Sequence, residues 1–156
     1  ELGAENARLR EENARLRAAR ARPEGLVGMW VAGELGWEGV PARWLGNTVQ
    51  PHAKNPLGLR GMSTFRAKAG LMVVVELLKL PVAQPWRAEA AALVAPDGTA
   101  LRVEQVWQEA EIPPGGMQYV LVAVEAMADL PPGPYTLTLW AAGGKRAVIL
   151  RNVTFP

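Results

Sequence analysis

The sequence predicts a mainly β chain: an immunoglobulin-like antiparallel β-sandwich preceded by an N-terminal coiled-coil helix and a short apolar helix. Three observations predict it. Leucine recurs every seven residues at Leu2, Leu9 and Leu16. Seven short apolar runs follow residue 60, alternating in stretches between apolar and polar side chains. Proline- and glycine-rich turn signals separate those runs at the spacing of an all-β domain.

Residues 1–22 are predicted to be a coiled-coil dimerisation helix. With the leucines at position d of the heptad, Asn6 and Asn13 fall at a, Glu5 and Glu12 at g, and Arg10 and Arg17 at e. In a parallel pair, g of one chain meets e of the next heptad in its partner. That sets Glu5 against Arg10 and Glu12 against Arg17, opposite charges both times. Asparagine at a fixes register and favours two strands, because the paired amides hydrogen-bond across the seam. A helix lying on its own domain also carries an apolar stripe, but a wider one than Leu-Asn-Leu. Each buried leucine contributes roughly 1.5–3 kcal/mol, and coiled coils normally need three to four heptads. The helix starts inside a heptad, so more zipper is expected upstream, or added contacts from the domain.

Residues 23–59 are predicted to be a short helix and an irregular linker. Pro23 ends the zipper. Leu26, Met29, Trp30, Gly33 and Trp37 share one helical face, which suggests a mostly apolar helix over residues 26–35. Gly36, Gly39, Pro41, Gly46, Asn47, Pro51, Asn55, Pro56 and Gly58 then break any periodicity, and a long loop with at most one short strand is expected.

Residues 60–156 are predicted to be the β-sandwich domain, with strands at 63–69, 71–80, 88–95, 100–108, 117–126, 135–141 and 146–155. Asp97-Gly98 and Gly143-Gly144 read as tight hairpin turns. Pro81, Pro85, Pro113-Pro114-Gly115-Gly116 and Pro131-Pro132-Gly133-Pro134 mark the other breaks. Tyr135, Leu137 and Leu139 should face one side, and Thr136, Thr138 and Trp140 the other. Leu101, Val103 and Trp107 should face inward, and Arg102, Glu104 and Gln108 outward. The stretches 72–78 and 119–123 are apolar on both faces, whereas a solvated sheet face should read polar. Something must cover that second face. The helix around Trp30 is the nearest candidate, then another protein, a second subunit or an upstream domain.

Composition narrows the function. The chain has 156 residues, 49% of them apolar, enough for one domain and an appendage. It has no cysteine, which excludes disulfides and thiolate metal sites. Six of the 17 basic and four of the 15 acidic residues lie in residues 1–22, leaving eleven of each in the rest. The domain is therefore neutral, and no nucleic-acid partner is expected. No membrane span is expected either, since the longest apolar helical stretch is short and broken by glycine.

Several segments carry a resemblance: Gly25-Leu26-Val27-Gly28 with Gly39-Val40, Ala83-Gln84-Pro85-Trp86, the run from Ala92 to Gly98, Val106-Trp107-Gln108, Ile112-Pro113-Pro114-Gly115, the run from Leu137 to Gly144, and the ending Val153-Thr154-Phe155-Pro156. Over residues 23–156 the chain resembles an uncharacterised paralogous family expanded in myxobacteria such as Myxococcus xanthus, a predicted secreted domain of unknown function. The resemblance implies a periplasmic or extracellular location, with a signal peptide and an earlier β-rich domain upstream. It implies no catalytic or binding residue.

No catalytic constellation is legible. His52 is the single histidine, so any nucleophile–histidine–acid set would need it. Its loop offers no acid nearby, and one histidine without cysteine makes no transition-metal cluster. Glu109 and Glu111 form an acidic pair beside a turn, where carboxylates are usually solvated. No cofactor is expected. The expected function is a non-enzymatic, dimeric interaction or scaffold module of the cell envelope, in which the coiled coil presents paired sandwiches. The alternative is a carbohydrate- or peptide-binding sandwich using exposed tryptophans, with Trp86 and Trp140 as the candidate patch.

Overall fold

Alternation and turn chemistry set the β architecture in place. The computed structural model describes residues 2–21, 24–33, 40–68, 70–79, 85–109, 119–127 and 133–156, with side chains at 16–21, 79 and 119–121 left aside. Among these are helix α1 (Leu2–Ala21) and helix α2 (Gly25–Val31). The strands are β1 (Ala42–Trp44), β2 (Gln50–Pro51), β3 (Leu57–Ala67), β4 (Gly70–Lys79), β5 (Ala90–Val94), β6 (Ala100–Leu101), β7 (Val103–Gln108), β8 (Tyr119–Ala126), β9 (Tyr135–Trp140) and β10 (Val148–Val153). No described helix is long and apolar enough to cross a membrane.

Two antiparallel sheets of five strands form, in the orders β1-β3-β4-β8-β7 and β2-β10-β9-β5-β6. One core lies between them. Met62, Leu71, Val73, Val75, Leu77, Val122 and Val124 of the first sheet meet Leu93, Leu137, Leu139, Val148, Leu150 and Val153 of the second. In β9, Tyr135, Leu137 and Leu139 are buried and Thr136, Thr138 and Trp140 half-buried, as the alternation requires. The β5–β6 hairpin turns at Asp97-Gly98. Gly98 has a φ of 89° there, and the Thr99 amide donates to Asp97 Oδ1 at 2.9 Å. Gly143 and Gly144, both with positive φ, lie in a longer β9–β10 connection rather than a two-residue turn.

Three expectations need correction. Gln108 faces inward and Trp107 outward. A bulge between Val103 and Gln105 shifts the pairing of β7 with β8 and reverses the alternation beyond it. The predicted single strand over 100–108 is split, because β6 belongs to the second sheet and β7 to the first. The stretch expected to be linker is built into the sandwich from Pro41 onward. Leu45, Val49 and Leu57 join the main core. Asn55 pairs its side-chain amide with both backbone groups of Ile149, at 2.8 and 2.9 Å, extending the edge of β10. Asn152 Nδ2 donates to the Thr48 carbonyl at 2.7 Å. Asparagine side chains here do what ladder amides do elsewhere, so the segment is ordered without alternating. The turn signals at Pro81, Pro113-Pro114 and Pro131-Pro132 lie outside the described residues.

Tyr135 opens β9 and is buried edge-on against Phe155, with ring centroids 5.8 Å apart. Desolvation raises its phenol pKa above the ordinary 10.0. The folded state therefore favours the neutral phenol. That contribution is whole below the unfolded pKa and is lost as pH rises through the folded one. An alkaline titration followed by tyrosine absorbance should show one of the two tyrosines ionising late and together with unfolding. The Tyr135→Phe variant should lack that late step.

Candidate functional site

The heptad residues lie on α1, which exposes those whose side chains are described. Every described side chain in residues 2–15 is exposed, including Glu5, Asn6, Arg10, Glu12 and Asn13. Leu2 is 81% and Leu9 46% exposed, and neither belongs to a core cluster. The side chains of Leu16 and Arg17 lie outside the description. Among the described residues the ion pairs are Arg60–Glu76 and Arg102–Glu104, neither of them in α1. Leu2 and Leu9 of α1 are thus not spent on the sandwich core.

The second apolar face of β4 is covered by α2. Met72 and Val74 point away from the main core and form a smaller cluster with Ala123 of β8 and with Leu26 and Val27 of α2. Trp30 packs edge-on against Trp107, with centroids 5.9 Å apart. The inward face is buried Leu26 and Val27 with half-buried Trp30, while Met29 is exposed; Leu35 and Trp37 lie outside the described residues. Glu125 holds the start of this helix. Its buried carboxylate accepts the Leu26 amide at 3.0 Å, one of the N–H groups a helix leaves without an internal partner. Gly25 has a φ of 66°, and a Cβ there would meet the Glu125 carboxylate at 2.6 Å. Gln105 Nε2 also donates to the Glu24 carbonyl at 3.0 Å.

The candidate tryptophans divide. Trp86 is 1% exposed and sits in the main core. Its Nε1 donates to the Arg146 carbonyl at 3.1 Å. Buried Gln108 accepts from the Ala88 amide at 2.8 Å and donates to the Trp86 carbonyl at 3.1 Å. Trp86 therefore offers no open face for stacking. Trp140 is half-buried on the outer face of the second sheet, paired in register with Ala90. His52 follows β2 and accepts the Lys54 amide on Nδ1 at 3.2 Å. Glu109 is exposed at the end of β7, and Glu111 lies outside the described residues. No cluster of three or more metal-ligating side chains occurs among the described residues.

Sequence reasoning missed Trp44. It ends β1, is 61% exposed, and lies over Gly61 of β3 on the outer face of the first sheet. The available signal was a glycine inside a strand, which marks close approach by another group.

A family model described as "Protein of unknown function (DUF2381)" matches residues 1–153, a span that includes α1. No curated protein and no solved structure matches the chain.

The seat of α2 is testable. Glu125→Ala leaves a buried amide without its acceptor and should lower stability by about 1–3 kcal/mol. Glu125→Gln keeps an acceptor and should lose less. Denaturant unfolding followed by the summed emission of the six tryptophans, Trp30 and Trp107 among them, measures both.

Proposed function

We propose that the chain, which belongs to the DUF2381 family of proteins of unknown function, is a non-enzymatic, dimeric interaction module. In this reading α1 pairs in parallel with α1 of a second copy and holds two sandwiches side by side. The observation that carries it is the exposure of Leu2 and Leu9 on α1. Leu2 and Leu9 stand outside both core clusters, on a helix whose a, e and g positions carry a dimer-specifying pattern.

The immunoglobulin-like assignment is supported by strand order. With short β1, β2 and β6 set aside, the described strands run first-second-fifth-fourth in one sheet and third-sixth-seventh in the other. That is the arrangement of a seven-stranded immunoglobulin-type sandwich, and buried Tyr135 at the start of the sixth strand stands where such folds carry a corner tyrosine. The non-enzymatic assignment is supported by the separate settings of His52, which is held in its own turn, and Glu109, which faces solvent. The envelope location rests on the resemblance to a secreted myxobacterial family.

Sedimentation tests the dimer. Twenty residues of helix span about 30 Å, fewer than three full heptads, so self-association should be concentration-dependent. The wild type should approach two chains per particle, and a combined Asn6→Leu, Asn13→Leu variant should associate more tightly and into higher orders. Because the chain has no cysteine, an Asn6→Cys variant gives one thiol per chain. A parallel, in-register pair brings the two thiols together and should oxidise to a covalent dimer. A wild type that stays monomeric at its highest soluble concentration would sink the proposal.

A further inference from the structure

We infer that Trp44 is a stacking platform for a neutral saccharide, with Glu76 and Arg60 as its hydrogen-bonding flank. The argument starts from how the indole is mounted. Trp44 is opposite Ser63 in the register of β1 with β3, on the face of the first sheet away from the main core. A Cβ at Gly61 would stand 2.2 Å from Trp44 Cη2 and 3.0 Å from Cζ3, so the ring lies against β3 only because Gly61 has no side chain. At its other end, a Cβ on Gly46 would come 3.2 Å from Nε1. Two glycines make room for one indole.

The backbone beneath is tied down. The Leu45 amide donates to the Met62 carbonyl at 3.0 Å. Thr48 Oγ1 donates to the Leu45 carbonyl at 2.6 Å, and Asn152 Nδ2 to the Thr48 carbonyl. Despite this support the side chain is 61% exposed. A tryptophan recruited for burial would hide more of its large apolar surface, as Trp86 does. Trp44 instead meets β3 at the Cη2 edge of its ring and leaves most of its surface to solvent. Fixing the ring in advance removes part of the ordering cost of binding.

The flank selects the ligand. Glu76 is the cross-strand partner of Gly61 and shares its face. Arg60 is the extra residue at the bulge between Leu59 and Gly61, and its Nε lies 3.8 Å from Glu76 Oε2. A carboxylate acceptor and a guanidinium donor therefore flank Gly61, the residue that the indole edge abuts. Sugar hydroxyls both donate and accept, and the C–H face of a pyranose is flat and apolar, so a sugar matches ring and flank together. A phosphodiester gains little from a pair of zero net charge. An apolar peptide would engage neither charged group.

The proposal does not depend on dimerisation. It is tested by calorimetric titration of the full chain with cellohexaose, chitohexaose and laminarihexaose, with decaproline and a thymidine hexanucleotide as competitors in class. At least one hexasaccharide should bind. Trp44→Ala should weaken that binding about tenfold or more, the loss expected on removing one aromatic stacking platform. Trp44→Phe keeps a smaller ring and should restore most of the affinity. Gly61→Ala should displace the indole and weaken binding as Trp44→Ala does, with circular dichroism confirming the fold. Absence of hexasaccharide binding by the wild type overturns the proposal. So does binding that Trp44→Ala leaves unchanged, or decaproline or the oligonucleotide binding at Trp44 in place of the sugar.

Discussion

The architecture depends on β4 having two apolar faces. Leu71, Val73, Val75 and Leu77 point into the main core, and Met72 and Val74 point out of it. A strand like this needs a cover on each side. The second sheet supplies one and α2 the other, so the described structure is three layers deep around Met72. Burying Leu26 and Val27 contributes roughly 1.5–3 kcal/mol each. Seven residues of helix are too few to persist alone. Helix and sheet face therefore stabilise each other, and Glu125 fixes their registration by accepting the Leu26 amide. Losing that layer would open a patch containing Met72, Val74, Ala123 and Trp107, the kind of surface that drives association.

How far the fold could be read from the chain follows the same physics. The strand pairs with simple alternation, β9 above all, are legible because period two and one buried face leave a single solution. The doubly apolar stretch of β4 was legible as a demand for a cover, and the Trp30 helix answers it. The inward turn of Gln108 was not legible. One bulged residue in β7 reverses every later side chain, and nothing in the local composition marks it. Residues 41–59 were opaque for a different reason. Their order comes from Asn55 bonding to Ile149 and Asn152 to Thr48, long-range side-chain contacts that leave no periodic trace.

The tryptophans show why residue type alone misplaces a binding surface. Trp86 follows a proline-rich stretch and looks like a loop aromatic. It is buried because its indole nitrogen finds the Arg146 carbonyl and Gln108 satisfies its backbone. Trp44 sits among glycine, proline and asparagine and looks incidental. Its setting is decided by Gly61, seventeen residues away in sequence, whose missing side chain is what the indole rests against. The informative pattern was the pair, an aromatic opposite Ser63 and a glycine two positions along the same strand on the same face, which the register of β1 with β3 brings together.

The zipper and the platform bear on one another through concentration. A single exposed indole with one charged pair beside it is a weak site, because a sugar gives up well-solvated hydroxyls to reach it. In the proposed pair the α1 seam is also weak, because leucine layers at Leu2 and Leu9 alternate with asparagine layers at Asn6 and Asn13. Two weak interactions in one assembly need not stay weak. When two platforms are joined, the second contact on a polymeric ligand becomes intramolecular and gains from effective concentration without any new contact. By linkage, a repeating saccharide that engages two platforms at once stabilises the pair of chains that presents them. On this argument, a seam weakened by polar a layers suits a module that assembles where its ligand is repeated.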